Sequence, residues 1–211
     1  NNIKNKNIVF YKNEYDCIKK IITTFVPKYC NIFTLYPNSE FMELISNEYK
    51  IEIKYTIYKE NGKTLQPKFK HIINYITPKT KLVYLTNPDH TTGQLLNKAN
   101  FDDFIKELPD NIIVLIDETF IDFIVPYKES YKKNTIFNSI DYLNKNIIIM
   151  RSFNNFYGLE TLELAYIIAN DDISKLLDSS NIVQSQLDKY TEQLALTCLK
   201  DSSNNTKIKT N

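Results

Sequence analysis

Glycine and arginine are nearly missing from this chain. Its 211 residues include three glycines, Gly62, Gly93 and Gly158, and one arginine, Arg151. So few glycines exclude the glycine-rich loops that wrap phosphate in P-loop and dinucleotide-binding proteins. One arginine leaves almost no bidentate anion clamps. The three cysteines, Cys17, Cys30 and Cys198, are too few and too scattered for a disulfide framework or a zinc site, which suggests a reducing compartment. No run of about 18 apolar residues exists, so no spanning helix is expected. No secretory apolar stretch opens the chain, and the missing initiator Met suggests a processed or trimmed start. A net charge of +1 gives no general pull toward nucleic acid or an anionic membrane. The expectation is a cytoplasmic protein with neither as partner.

What is present fits an ordinary globular fold. The chain is 43% hydrophobic and 24% charged, enough to bury a core in one domain or at most two small ones. The surplus of Asn, Ile, Lys and Tyr reads as the composition of an AT-rich genome.

Strand-like and helix-like segments alternate. Ile8 to Tyr11 is a short apolar run, and Cys17, Ile18, Ile21, Ile22 and Phe25 then share a helical face that Pro27 ends. Ile32 to Leu35 reads as a strand, and Pro37 with Asn38 or Ser39 opens a helix over Phe41, Met42, Leu44 and Ile45. Ile51, Ile53, Tyr55 and Ile57 alternate with polar residues, the pattern of a half-exposed strand near an edge. Asn61-Gly62 is a turn. Phe69, Ile72, Ile73 and Ile76 make a helical stripe with Pro67 in its first turn. Leu82 to Leu85, Ile112 to Ile116 and Ile147 to Met150 are strands apolar on both faces, and Leu164 to Ala169 is a weaker one. Phe101, Phe104, Ile105 and Leu108 line a helix stopped by Pro109. Val183, Leu187, Tyr190, Leu194 and Cys198 line a closing helix. Doubly apolar strands alternating with amphipathic helices predict an α/β fold of three α/β/α layers around a mostly parallel sheet. No repeat or linker breaks the chain, so residues 1–201 read as a single domain and 202–211 as a polar, frayed tail.

In such sheets, ligands bind beyond the carboxyl ends of the strands. Four of those ends are polar: Lys12-Asn13-Glu14, Asn87 to Gly93, Asp117-Glu118-Thr119-Phe120, and Arg151 to Asn155. Taken singly they are weak. Asp117 has even odds of being a turn cap. His90 has no second His or Cys nearby to suggest a metal. Asp117 and Glu118 are adjacent on extended chain, so at most one faces a given cleft.

Taken in order, they resemble fold-type I pyridoxal-phosphate (PLP) aminotransferases, the histidinol-phosphate branch in particular. Leu82 to Gly93 looks like that family's strand followed by Asn-Pro-Asn-Asn-Pro-Thr-Gly. Val114 to Phe123 looks like its Asp-Glu-Ala-Tyr-x-x-Phe element. Arg151 to Leu159 looks like its Arg-Thr-x-Ser-Lys-x-Phe-Gly-Leu element. The likeness extends more loosely over residues 8–200 and implies the family's large domain, without counterparts to its N-terminal arm and most of its small domain.

The resemblance implies roles residue by residue. The Schiff-base lysine position holds Asn155, which has no amine to bond the aldehyde. Asp117 keeps the place of the acid that pairs with the pyridine nitrogen. His90 replaces an Asn, and Phe120 replaces a Tyr, at the cofactor's phenolic oxygen. At the phosphate, Lys12-Asn13 takes the turn position, Ser152 remains, Asn154 replaces a Ser, and Glu163 replaces an Arg. Phe41 or Met42 takes the place of the stacking aromatic. A variant made to trap an intermediate would change the lysine alone. Here the lysine, tyrosine, asparagine and phosphate-arginine positions have all changed, and reversing charge at a desolvated phosphate site costs on the order of several kcal/mol. The expectation is a catalytically degenerate aminotransferase-like protein, with no catalytic residue, no PLP and no metal. It would be a homodimer, or a heteromer with a related subunit, and its old cleft would be open to another small molecule. The alternative is a divergent, active PLP-dependent aminotransferase using another lysine such as Lys12.

Overall fold

In a computed structural model, residues 3–37, 40–61, 64–124, 137–159, 163–178 and 189–201 are described. The strands are β1 (Ile8–Tyr11), β2 (Asn31–Tyr36), β3 (Glu52–Asn61), β4 (Thr64–Pro67), β5 (Thr80–Thr86), β6 (Ile113–Asp117), β7 (Ile147–Ser152) and β8 (Ala165–Ile168). The helices are α1 (Glu14–Phe25), α2 (Glu40–Tyr49), α3 (Phe69–Tyr75), α4 (Lys98–Glu107), α5 (Asp171–Asp178) and α6 (Lys189–Lys200). They build one sheet of order β1-β8-β7-β6-β5-β2-β3-β4. Strands β3, β2, β5, β6 and β7 run parallel, while β8 is antiparallel to both β7 and β1, and β4 folds back on β3.

Alternating side chains divide the core into two layers. Ile32, Leu82, Tyr84, Leu115, Ile148 and Met150 face α1, α2 and α5, where Ile18, Ile21, Met42 and Leu177 are buried. Phe33, Val83, Leu85, Val114, Ile116 and Ile149 face α3 and α4, where Phe69, Ile72, Phe101 and Phe104 are buried. This is the predicted three-layer arrangement.

Local departures have local causes. Pro67 closes β4, and α3 begins after Lys68. The expected alternation in β3 shifts, because Thr56 is buried and bonds His71 Nδ1 at 2.7 Å while Ile57 is 59% exposed. Only Tyr58 to Asn61 of β3 pair with β4, so among the described residues no strand pairs with the outer edge of its earlier part. In α6, Thr191 and Ala195 are buried and Tyr190 is exposed. Helix α5, which the pattern had not suggested, buries Ile173 and Leu177. Gly62, Val183, Leu187, the start of the second helix at Asn38-Ser39 and the tail from Ser202 lie outside the described residues.

Candidate functional site

Sheet register collects the polar strand ends. Tyr11 of β1 and Ser152 of β7 both pair with Ala165 at the start of β8. Asp117 of β6 pairs with Met150 on one side and with Thr86 of β5 on the other. Lys12, Glu163, Ser152, Asp117 and the loop after Thr86 therefore crowd one edge of the sheet. Asp117 and Ser152 share the side-chain parity of Leu115, Ile148 and Met150, which face the α1 layer.

Asp117 is the centre of this edge. Its Oδ2 accepts from Tyr84 Oη at 2.6 Å, and its Oδ1 accepts from Thr119 N at 3.0 Å and Thr119 Oγ1 at 2.7 Å. His90 Nε2 lies 3.7 Å from Oδ1, an ion-pair distance longer than a direct hydrogen bond. Burial alone would raise the Asp117 pKa. The facing His90 and the Tyr84 and Thr119 donors outweigh it and hold the carboxyl below its usual range. His90 answers in kind: burial would lower its pKa, but Asp117, Asp89 and Glu14 raise it. Beyond Tyr84, Asp117 Oδ2 keeps a lone pair that could accept one more donor.

The loop that carries His90 is fixed by Asp89. Its carboxylate accepts from Tyr58 Oη, from Thr86 Oγ1 at 3.0 Å, and from Thr92 N and Oγ1, both at 2.7 Å. Gly93 N closes the turn on Asp89 O at 2.8 Å. Gly93 and Gly158 have φ of +68° and +65°, and a Cβ built on either meets nothing within 4 Å. Glycine is favoured there by backbone conformation; crowding plays no part.

Phe120 packs edge-on against His90, with centroids 4.8 Å apart. It continues through Phe123 to Phe156, beside Asn155. Asn155 is half-buried, and its side chain makes no hydrogen bond among the described residues. Of the two stacking candidates, Met42 is fully buried in the core, whereas Phe41 is partly exposed and touches the Tyr15 ring.

The end of the site over α1 is occupied by acids. Asn13 caps α1 by accepting from Asp16 N at 2.9 Å. Glu14, the first helical residue, takes Asn154 Nδ2 at 3.5 Å on its Oε1. Burial raises the Glu14 pKa and Asp117 adds to the rise, against the lowering effect of Ser152 and His90. Glu163 takes Lys12 Nζ at 3.4 Å and Asn13 Nδ2 at 3.5 Å on the same oxygen. Glu163 itself sits at φ +46°.

Asp117 and Glu118 do face apart. Glu118 is buried on the other side of the sheet edge. It accepts from Arg151 Nε at 3.0 Å and Nη2 at 2.8 Å, from Asn87 Nδ2 at 3.4 Å, and from Ser139. The roles of Glu14, Tyr84 and Thr119 could not be read from the sequence. Glu14 carried one available signal, an acid in the first turn after an Asn cap. Among the described residues no group of His, Cys, Asp and Glu could hold a metal ion, and no helix is long and apolar enough to cross a membrane.

Comparison with known proteins places this geometry. A histidinol-phosphate aminotransferase 2 of Hydrogenovibrio crunogenus is 36% identical over 100 residues, which cover 46% of this chain and 25% of that protein. A histidinol-phosphate aminotransferase of Listeria innocua is 30% identical over 134 residues, 63% of this chain and 35% of that one. The matched stretch thus spans about a quarter to a third of the length of these relatives. Among solved structures, the histidinol-phosphate aminotransferase of Sinorhizobium meliloti in complex with pyridoxal-5'-phosphate superposes with a TM-score of 0.81 at 16% identity, covering 97% of this chain and 53% of that one. The Clostridium acetobutylicum enzyme gives 0.79 at 20% identity, covering 96% and 57%. At such identities the likeness is one of fold. The model of the family described as aminotransferase class I and II matches residues 2–210. With its motifs in order, its strand ends gathered at one edge and its length matched almost throughout, the chain belongs to the class I and II aminotransferase family.

Proposed function

We propose that this chain keeps the aminotransferase fold for binding or assembly and does not perform transamination. The observation that carries the reading is Asn155 in the place of the lysine that would bond PLP: its amide is neither a nucleophile toward an aldehyde nor a base at neutral pH. The surrounding donor set supports it. Asp117 still offers an acceptor to a protonated ring nitrogen. Phe120, however, has no hydroxyl to give, and Glu163 puts a carboxylate where a phosphate would need a cation. These residues do not fit PLP. We further propose that the cleft lined by Asp117, His90 and Ser152 binds a different small molecule. A protonated nitrogen facing Asp117 Oδ2 is the chemistry that the free lone pair favours.

Pairing with a second copy or a related subunit belongs to the same reading. Tyr36, Tyr55 and Ile57 support it: Tyr36 pairs with Ile57 across β2 and β3, the two tyrosine rings lie 5.8 Å apart, and all three side chains are exposed. A cytoplasmic location is proposed with it.

The opposing reading is an active aminotransferase, which the names of the curated relatives favour. It would need another lysine, and Lys12 is the candidate at this edge. Its Nζ is 3.4 Å from Glu163 on a side chain that is 70% exposed. Titrating the protein with PLP and following Schiff-base absorbance separates the two. The proposal expects no saturable band. A saturating band at one equivalent supports the active enzyme.

A further inference from the structure

The misfit with a phosphate-bearing cofactor has a particular author in Glu14. At the N-terminal turn of α1, three side-chain donors that could meet an external anion are already turned to the chain's own carboxylates. Asn154 Nδ2 serves Glu14, and Lys12 Nζ and Asn13 Nδ2 serve Glu163. The two acids come from different parts of the fold, one from the start of α1 and one from the turn before β8. Register brings both to the β1-β8-β7 end of the edge. Asp117, electrostatically coupled to Glu14, adds a third negative charge nearby, balanced by His90.

We infer that Glu14 and Glu163 together act as tethered anions that close this end of the cleft, making Glu14 a specificity-determining residue that rejects phosphate-bearing ligands. An incoming dianion would displace the Asn154 and Lys12 contacts and sit against two carboxylates in a partly desolvated turn, where like charges repel strongly. The ligand that this cleft accepts carries no anionic group at its α1 end. The inference rests on the reading above that the cleft no longer serves PLP, but it concerns non-covalent selection at atoms remote from Asn155.

The test uses inorganic phosphate alone, titrated by isothermal calorimetry and by chemical-shift changes of backbone amides, into the whole chain and into Glu14→Gln/Glu163→Gln. The wild-type protein is expected to show no saturable phosphate binding. The double variant is expected to gain at least about tenfold in affinity, with shifts at residues 13–16 and 152–154. Glu163→Gln alone, altered on a half-exposed side chain, should give a smaller gain and keeps the test open if the double variant folds poorly. Glu48→Gln, a surface acid paired with Lys19, should give none. The inference is overturned if the wild-type protein binds phosphate as tightly as the double variant, if neither variant gains, or if Glu48→Gln gains equally. No aldehyde is present, so a covalent PLP adduct, which would sink the earlier reading, cannot be confused with any of these results.

Discussion

Arg151 holds Glu118 through two nitrogens on one carboxylate oxygen, Nε at 3.0 Å and Nη2 at 2.8 Å. The carboxylate side chain is 2% exposed and the guanidinium side chain 21%. The chain's only arginine is thus a structural tie between the ends of β6 and β7, and the cleft gains no anion clamp from it. Breaking such a pair leaves a buried charge unmatched. Arg151→Met should lower stability by about 3–5 kcal/mol, whereas Arg151→Met with Glu118→Leu should recover a good part of the loss. Urea denaturation of the three proteins checks this; equal losses in the single and double variants would contradict it.

His90 and Asp117 make a pH-dependent pair. The folded-state pKa of His90 is raised above 6.5, so its stabilisation is complete below that value and fades as pH climbs through the raised pKa. Asp117 is lowered below 3.8, so its share is present above that value and fades as pH falls through the lowered pKa. The pair therefore supports the fold best between those limits. NMR titration of the His90 ring should show a midpoint above 6.5 in the wild-type protein that drops in Asp117→Asn.

Glu14 behaves in the opposite sense. Burial raises its pKa above 4.5, so the folded state holds its proton more tightly than the unfolded chain does. Its ionisation then costs stability as pH rises from 4.5 through the raised value. Glu14→Gln should melt at a higher temperature than the wild-type protein at pH 7, and at the same temperature near pH 4.

Gly93 should tolerate no side chain cheaply, although there is room for one. At φ +68° with nothing within 4 Å of an added Cβ, Gly93→Ala meets backbone strain of about 1–2 kcal/mol and no clash. Gly93→Asn should lose less than Gly93→Ala, because Asn adopts the left-handed region more readily. Thermal melts of the two variants decide it.

Much of the fold was legible because its strands are apolar on both faces and its helices carry clean stripes. Val114 to Ile116 and the Phe101-Phe104 face needed no tertiary information. Where tertiary contacts decided, the pattern misled. Thr56 is buried because His71 offers it a partner, and Ile57 next to it turns to solvent. Helix α5 carries too short an apolar stripe to be read from the sequence, because only Ile173, Ser174 and Leu177 of its eight residues are buried. In the site, Asp117 and His90 could be paired from motif order. The Tyr84 and Thr119 contacts could not, because they depend on strand register and on a two-residue turn. Glu14 stands among the polar strand ends without a role in the sequence, since its meeting with Asn154 spans most of the chain.

We propose that this chain has the aminotransferase fold without its covalent chemistry. Intact-mass spectrometry of the protein after incubation with PLP and reduction with borohydride decides it. The expected result is the unmodified mass, with at most scattered substoichiometric labelling of surface lysines. One pyridoxyl group per chain, mapped to a single lysine such as Lys12, would contradict it.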